Sequence, residues 1–295
     1  MSEYVPLWVK SNHSFLEGAS FPEELVERAH ALGLPAVAIT DRDGVYGLVR
    51  AHMRAKELGI RILTGAQVTL DVGGREFPIV TLAKTRRGYA HLCRALSLGH
   101  ARCEKGTSLL QPEDLQDTED LLFLCPAPDP LRALHATHGP SSTFALCVRQ
   151  LSDRERPLEK QLRLAAAELG VEAVGANEVL YHDPVRRPLQ DVLACIRAGK
   201  VLSEAGRTIR ANAEHDLKPP TATAQLFIDD PACLRRTLEL AEQCTFSLDD
   251  IRYRYPEERL PSGATEQGWL RELTFQGARK RYRGKVPTDV RMQIE

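Results

Sequence analysis

The stretch Ala36-Val37-Ala38-Ile39-Thr40-Asp41 is an unbroken apolar run that ends in a carboxylate. Such a run is typical of a buried parallel strand, whose carboxyl end brings its last side chains to the rim of an α/β barrel. The run therefore predicts where a catalytic site would lie. Arg42 follows Asp41, and Trp8 and Lys10 stand near the start of the chain, so positions suited to metal-binding histidines hold other residues. The sequence indicates an enzyme-like scaffold with a degenerate site.

Helix and strand patterns alternate around this run. Ser20-Phe21-Pro22-Glu23 is a capping-box pattern that predicts the start of a helix, and Gly33 predicts its end. The segment Val45–Leu58 predicts a second helix closed by Gly59, followed by a strand over Ile60–Thr64. Two strand-helix-strand units in series predict an α/β fold.

Further strands and helices continue the alternation. Gly73-Gly74 predicts an antiparallel hairpin between two apolar segments. The other expected strands are Tyr4–Val9, Val68–Val72, Phe77–Ala83, Leu121–Cys125, Thr143–Val148 and Glu172–Gly175, and the other helices are Tyr89–Leu98, Leu158–Leu169 and Pro188–Ala198. About seven core strands are predicted in total.

The chain changes character near Asn212. A helix over Pro231–Cys244, capped by Asp229 or Asp230, predicts a helical appendage. Tyr255-Pro256 begins a more polar stretch, which leads to helices over Glu266–Arg281 and Val290–Glu295. We predict a barrel at 1–210, a helical appendage at 211–255, and a linker with the start of a next region at 256–295.

Composition restricts the class of protein. A formal net charge of −1 over 295 residues gives no global field toward nucleic acid or an anionic membrane. The seven cysteines are an odd number without close spacing, which predicts reduced thiols rather than disulfides or a zinc knuckle. The first residues lack a signal-peptide pattern, and charges interrupt every apolar stretch. We expect a soluble, cytoplasmic protein.

Four separated segments carry a family resemblance. They are Asn12–Ala19, Ala38–Asp41, Ala83-Lys84 with Gly88-Tyr89, and Ala176–Tyr181. In this order they resemble the polymerase-and-histidinol-phosphatase (PHP) domain of bacterial DNA polymerase III alpha subunits. Three more segments are closer to the error-prone branch of those polymerases: Pro188–Leu193, Asn212–Glu214 and Ser247–Pro256. The resemblance implies a distorted seven-stranded (β/α) barrel with a C-terminal helical extension, and roles in DNA replication, translesion synthesis and repair.

The resemblance also implies a site that holds metal ions for phosphoester hydrolysis, from which this chain departs. The implied ligand positions are occupied by Trp8, Lys10, Asp41, Arg42, Gln67, Pro78, Glu178 and Leu180. Only Asp41 and Glu178 are carboxylates, which is too few ligands for a multi-metal site. Lys10 and Arg42 would bring cations instead, and we expect Asp41 to pair with one of them. The expectation is an inactive pseudo-enzyme with no catalytic residues, metal or cofactor.

Two other functions stay open. One is an active phosphoesterase or 3′–5′ exonuclease that uses Zn, Mn or Mg at a site rearranged from Asp41, Glu178, His13 and His182. His13 is more typical of a loop hydrogen-bonder, and His182-Asp183-Pro184 of a turn opening. The second is an interaction module that binds other mutagenesis factors or a sliding clamp.

The C-terminal segment is basic, with Tyr282 among its cations. Its basic residues are Arg271, Arg279, Lys280, Arg281, Arg283, Lys285 and Arg291. A solvated helix face is favoured over a phosphate-binding patch, so we expect weak or absent DNA contact. The resemblance implies the polymerase palm and thumb as partners, in cis or in trans. Polymerisation would need a palm domain with clustered carboxylates, so we do not expect this chain alone to copy DNA.

Overall fold

The computed structural model describes residues 4–116, 118–153, 155–251 and 260–295. The chain divides into two compact units, Met1–Ile251 and Arg252–Glu295. The predicted boundary at 255/256, together with Tyr255-Pro256, lies outside the described residues. The predicted boundary at 210/211 lies within the first unit.

Six β-strands occur in the described part of the first unit, and they form one curled sheet in chain order. They are β1 (Ala36–Ile39), β2 (Arg61–Val72), β3 (Arg75–Ala83), β4 (Leu121–Cys125), β5 (Thr143–Val148) and β6 (Ala173–Ala176). The pairs β1–β2, β4–β5 and β5–β6 are parallel, and β3 is antiparallel to both neighbours. The prediction of an α/β fold is confirmed.

The seventh strand, predicted over Tyr4–Val9, is not confirmed. In the described residues this segment is extended but forms a single bridge, between Val9 and Val179. Its carbonyl groups still accept bonds from β1 and the residue after it: Ala38 N donates to Pro6 O at 3.0 Å, and Thr40 N donates to Val9 O at 2.8 Å. Pro6 has no N–H to donate, so a regular ladder cannot form there. The segment nevertheless lies between β1 and the residues that follow β6.

Helices cover the sheet. Those of the first unit are α1 (Pro22–Ala31), α2 (Leu48–Leu58), α3 (Arg86–Ala101), α4 (Pro128–His138), α5 (Glu155–Leu169), α6 (Arg187–Arg197), α7 (Pro220–Leu226) and α8 (Pro231–Gln243). The helix predicted from Val45 begins three residues later, because Gly47 is its N-cap. Asp230 caps α8, as one of the two predicted alternatives.

The hairpin between β2 and β3 is as predicted. Val72 pairs with Arg75, and Gly73 and Gly74 form the two-residue loop with φ of 64° and 80°. Two successive positive φ values are required by the turn that fits the twist of a hairpin. This antiparallel addition separates the parallel pair β1–β2 from the parallel strands β4–β6.

The core has apolar residues on both faces of the sheet. All four residues of β1 and all five of β4 are buried. A strand buried on both faces needs cover on both sides, which the helices and the concave face of the curled sheet provide. Within the first unit, α8 lies against β6, where Phe227 and Leu234 contact Gly175. The predicted helical appendage therefore packs on the sheet.

The second unit contains two helices among its described residues, α9 (Glu266–Arg281) and α10 (Thr288–Ile294). Glu295 lies 3.3 Å from Arg291 and 3.8 Å from Arg271, so it links the two helices. Leu270 and Met292 are more than 60% exposed. Among the described residues of both units, each helix is too short or too polar to span a bilayer.

Candidate functional site

Buried polar side chains gather where the chain leaves its strands. Lys10 follows the extended N-terminal segment, Asp41 follows β1, and Glu178 follows β6. Gln67 lies in β2 and bridges to Arg42. The carboxyl ends of parallel strands meet at one rim of a curled sheet, where functional side chains are expected.

Lys10 lies at the centre of this rim and is 1% exposed. Its Nζ donates to Glu178 Oε1 at 2.6 Å and to Glu17 Oε1. The ammonium also lies 5.2 Å from the centre of the Trp8 ring, and Trp8 Nε1 donates to Gln67 Oε1 at 3.0 Å. The cation expected from the sequence is buried at this rim of the curled sheet, where two carboxylates hold it.

Both carboxylates have further basic partners. Glu178 Oε2 lies 2.8 Å from Arg210 and 3.5 Å from His215 Nδ1. Glu17 Oε2 lies 3.2 Å from Arg42 Nε and 3.1 Å from Arg197 Nη1. We refer to Lys10, Glu17, Arg42, Glu178, Arg197, Arg210 and His215 as the ionic cluster.

The cluster fixes the protonation of its members. Burial by itself would raise the pKa of Glu178, but the charges of Lys10, Arg210 and His215 outweigh burial and lower that pKa to about 2. The Lys10 charge likewise outweighs burial at Glu17 and lowers its pKa. Burial lowers the pKa of His215 to about 4, against the opposing effect of Glu178. At neutral pH the carboxylates are charged and the imidazole is neutral.

Asp41 does not pair with Lys10 or Arg42, so that prediction is wrong. Its Oδ1 accepts bonds from Ser11 N and Ser14 Oγ, each at 2.7 Å, and Ser11 Oγ donates to Oδ2 at 2.8 Å. Neighbouring side chains in an extended segment point to opposite sides, so Ser11 faces Asp41 while Lys10 faces Glu178. Burial raises the pKa of Asp41 despite these donors.

Two of the positions at which the family resemblance implies metal ligands lie away from the ionic cluster. Pro78 is exposed on β3, opposite Thr69. Leu180 is fully buried in a small apolar group with Ala19 and Tyr181. Trp8, Lys10, Arg42, Gln67 and Glu178 are linked by the contacts given above, whereas Asp41 is held separately by serines.

The histidines of the alternative site have other surroundings. The Nδ1 atom of His182 lies 2.7 Å from Ser20 Oγ. Ser20 began the predicted capping box of α1, but the N-cap of this helix is Phe21. Asp183 accepts a bond from Val185 N, as in a turn opening. His13 is half-buried, and its Nε2 has no hydrogen-bond partner among the described residues.

Four cluster members were not singled out from the sequence: Glu17, Arg197, Arg210 and His215. The pattern offered one signal: cations placed at the rim of a sheet require carboxylates nearby, and Glu17 lies within the Asn12–Ala19 motif.

These residues do not fit a multi-metal centre. The Lys10 ammonium binds Glu178, one of the two carboxylates at the implied ligand positions, and an ammonium has no lone pair for a metal. Within the four described ranges, no group of three or more His, Cys, Asp or Glu side chains is placed to hold an ion. What the arrangement can do is hold the rim together through charge and hydrogen bonds.

The loop that carries Glu17 requires glycine at position 18. A Cβ added at Gly18 would lie 2.0 Å from the carbonyl oxygen of Ser11. We expect Gly18→Ala to lower the free energy of unfolding by about 1–3 kcal/mol, because backbone must move to relieve the overlap. Urea unfolding measures the change. Gly277→Ala is the control, since its Cβ would have no atom within 4 Å; equal stability changes in the two variants would contradict the close contact.

Known proteins resemble the chain over most of its length. Residues 7–142 match the family described as the PHP domain. An error-prone DNA polymerase of Mesorhizobium japonicum is 38% identical over 99% of this chain and 27% of its own length. The corresponding protein of Alkalilimnicola ehrlichii is 37% identical over 99% of this chain and 29% of its own length. A solved structure from Bifidobacterium adolescentis, assigned as a metal-dependent phosphoesterase, has a TM-score of 0.43 at 15% identity, covering 60% of this chain and 88% of that one.

Proposed function

Because this chain carries a PHP domain and is similar along 99% of its length to error-prone DNA polymerases, we propose that it is the PHP-type domain of such a polymerase and acts as a structural platform. The chain spans 27–30% of the length of the first curated relatives it matches. One observation carries the proposal: the Lys10 ammonium is bound by Glu17 and Glu178 at the rim where a hydrolase would hold its metals.

The contacts support a structural rather than a catalytic role. Both carboxylates are saturated by cations, and Asp41 is occupied by three serine donors. A catalytic acid or base needs a free lone pair or proton within reach of a substrate. The strands and helices are intact while the reactive groups are committed to internal contacts, which suits a folded support.

In a complete polymerase, this platform would brace the palm and thumb, with translesion synthesis or repair as the cellular setting. Mutagenesis factors or a sliding clamp are further candidate partners, and the cytoplasm is the expected compartment. These expectations follow the similarity to error-prone DNA polymerases. A pull-down with the remaining segments of a relative tests the partners, and no association with any segment would contradict the bracing role.

Metal content and hydrolysis test the inactive barrel directly. Protein purified and then incubated with Zn²⁺ or Mn²⁺ is expected to retain less than about a tenth of an equivalent of metal and to leave a generic phosphoester uncleaved, because Lys10 excludes a second cation. Elemental analysis and a phosphate-release assay measure these outcomes.

A rearranged hydrolase would give the opposite result. One or more tightly bound ions, with turnover that Asp41→Ala abolishes, would contradict the platform. Arg94→Gln serves as the control variant in both assays, since Arg94 is exposed on α3 and outside the cluster.

A further inference from the structure

A cavity of about 890 Å³ opens beside the ionic cluster, and its lining includes Glu17 and His215. Four arginines also line it: Arg187, Arg197, Arg207 and Arg210. The acidic lining residues are Glu17 and Asp153, which leaves the lining with an excess of positive charge. A cavity of this size can enclose most of a nucleotide-sized ligand.

The arginines are positioned by the fold. Arg187 and Arg197 are the first and last residues of α6, so their Cα atoms are about 15 Å apart. Arg187 Nη2 donates to the carbonyl oxygen of Arg210 at 3.3 Å, which holds these two residues side by side. Arg207 lies in the single-turn 3-10 helix Gly206–Thr208. The positive charge therefore extends along the cavity instead of meeting at one point.

The arginines also keep donors for a ligand. Arg197 and Arg210 each bind one carboxylate oxygen of the cluster, and their side chains are still 47% and 41% exposed. Among the described residues, Arg207 has no carboxylate within 4 Å, and its side chain is exposed. A guanidinium has five N–H donors and suits the paired oxygens of a phosphate. Internal pairing thus leaves part of the donor set unused.

We propose that this cavity binds a polyphosphate group, either free or on a nucleotide, without a metal ion. A single phosphate could not reach arginines at both ends of α6, whereas a chain of phosphates spreads its charge along the cavity. Two of the lining arginines, Arg197 and Arg210, are also held in place by the carboxylates of the ionic cluster. This binding goes beyond the platform role and involves no bond cleavage.

Isothermal titration calorimetry of the full chain, at low salt and without divalent ions, tests the proposal. The probes are inorganic triphosphate, dATP and orthophosphate. We expect saturable binding of triphosphate or dATP, with orthophosphate at least tenfold weaker because it can bind fewer arginines. If dATP binds more tightly than triphosphate, the site is assigned to nucleotides. If the two bind equally, the site is assigned to the polyphosphate group itself. Both results support binding in this cavity.

Two variants decide whether this cavity is responsible. Arg207→Gln is expected to weaken binding about tenfold, since a hydrogen bond to a charged group is removed. Its thermal unfolding should not change, because Arg207 has no carboxylate partner among the residues described. Arg94→Gln, on exposed α3, should bind as the parent does. No saturable binding, equal weakening by both variants, or tighter binding of an unphosphorylated oligonucleotide than of dATP would overturn the proposal.

Discussion

Replacement of Lys10 with methionine is expected to lower the free energy of unfolding by about 3–5 kcal/mol, the usual result of removing one partner from a buried ion pair. Methionine fills a similar volume but leaves Glu17 and Glu178 facing each other without the ammonium between them. The two carboxylates repel, as the effect of Glu178 on the pKa of Glu17 already shows in the parent. Urea unfolding at pH 7 measures the loss.

A variant that removes the charges of the lysine and of both carboxylates separates the electrostatic contribution to stability from the packing contribution. The triple variant Lys10→Met, Glu17→Gln, Glu178→Gln should recover at least half of the lost stability, since neutral amides no longer require a cation. A single Lys10→Met variant as stable as the parent would show that the outer arginines alone satisfy both carboxylates. That result would contradict the central role of Lys10 in the ionic cluster.

Acidification is expected to destabilise the protein through His215, in a pH window that starts near neutrality. The ordinary pKa of histidine is 6.5, and burial lowers that of His215 to about 4 in the folded state. Between these values the unfolded chain binds a proton that the folded chain does not, so stability falls as pH falls. This difference between the folded and unfolded pKa values corresponds to a loss of about 3 kcal/mol in the free energy of unfolding, which is reached near pH 4. Urea unfolding at half-unit pH steps measures it.

A substitution isolates the contribution of this residue. His215→Gln should flatten the curve between pH 6.5 and 4, whereas His30→Gln, on the exposed side of α1, should leave it unchanged. Burial also lowers the pKa of His138 and His182, so the parent curve contains their effects and the difference between variants isolates His215. Identical curves for the parent and His215→Gln would contradict a buried neutral imidazole.

Local patterns predicted most elements of the fold. Strands β4 and β5 begin and end at the predicted residues, because each is a short run rich in apolar residues with Asp120 or Ser142 directly before it. Helix α9 likewise has its predicted bounds. The strand over Tyr4–Val9 failed because strand formation depends on partners far along the chain, and Pro6 has no N–H for them. Hydrophobic periodicity and strand propensity carry no information about such long-range pairing.

The site was harder to predict because its contacts are non-local. Lys10 and Glu178 are 168 positions apart, and their pairing depends on the curl of the sheet. The sequence did indicate that cations replace metal ligands at this rim, and Lys10 and Arg42 both bind carboxylates there. It could not indicate which carboxylates, because one residue of register sends a side chain to the opposite face. For that reason Ser11 binds Asp41, whereas Lys10 binds Glu178.

The cation that joins Glu17 to Glu178 is attached to the chain by covalent bonds. A metal centre is filled only when the free ion concentration exceeds its dissociation constant, and it empties in the presence of a chelator. Lys10 cannot dissociate, so Glu17 and Glu178 keep this cation as long as the chain is folded. For the proposed platform, we therefore expect cells starved of zinc or manganese to assemble this domain as readily as cells that are well supplied.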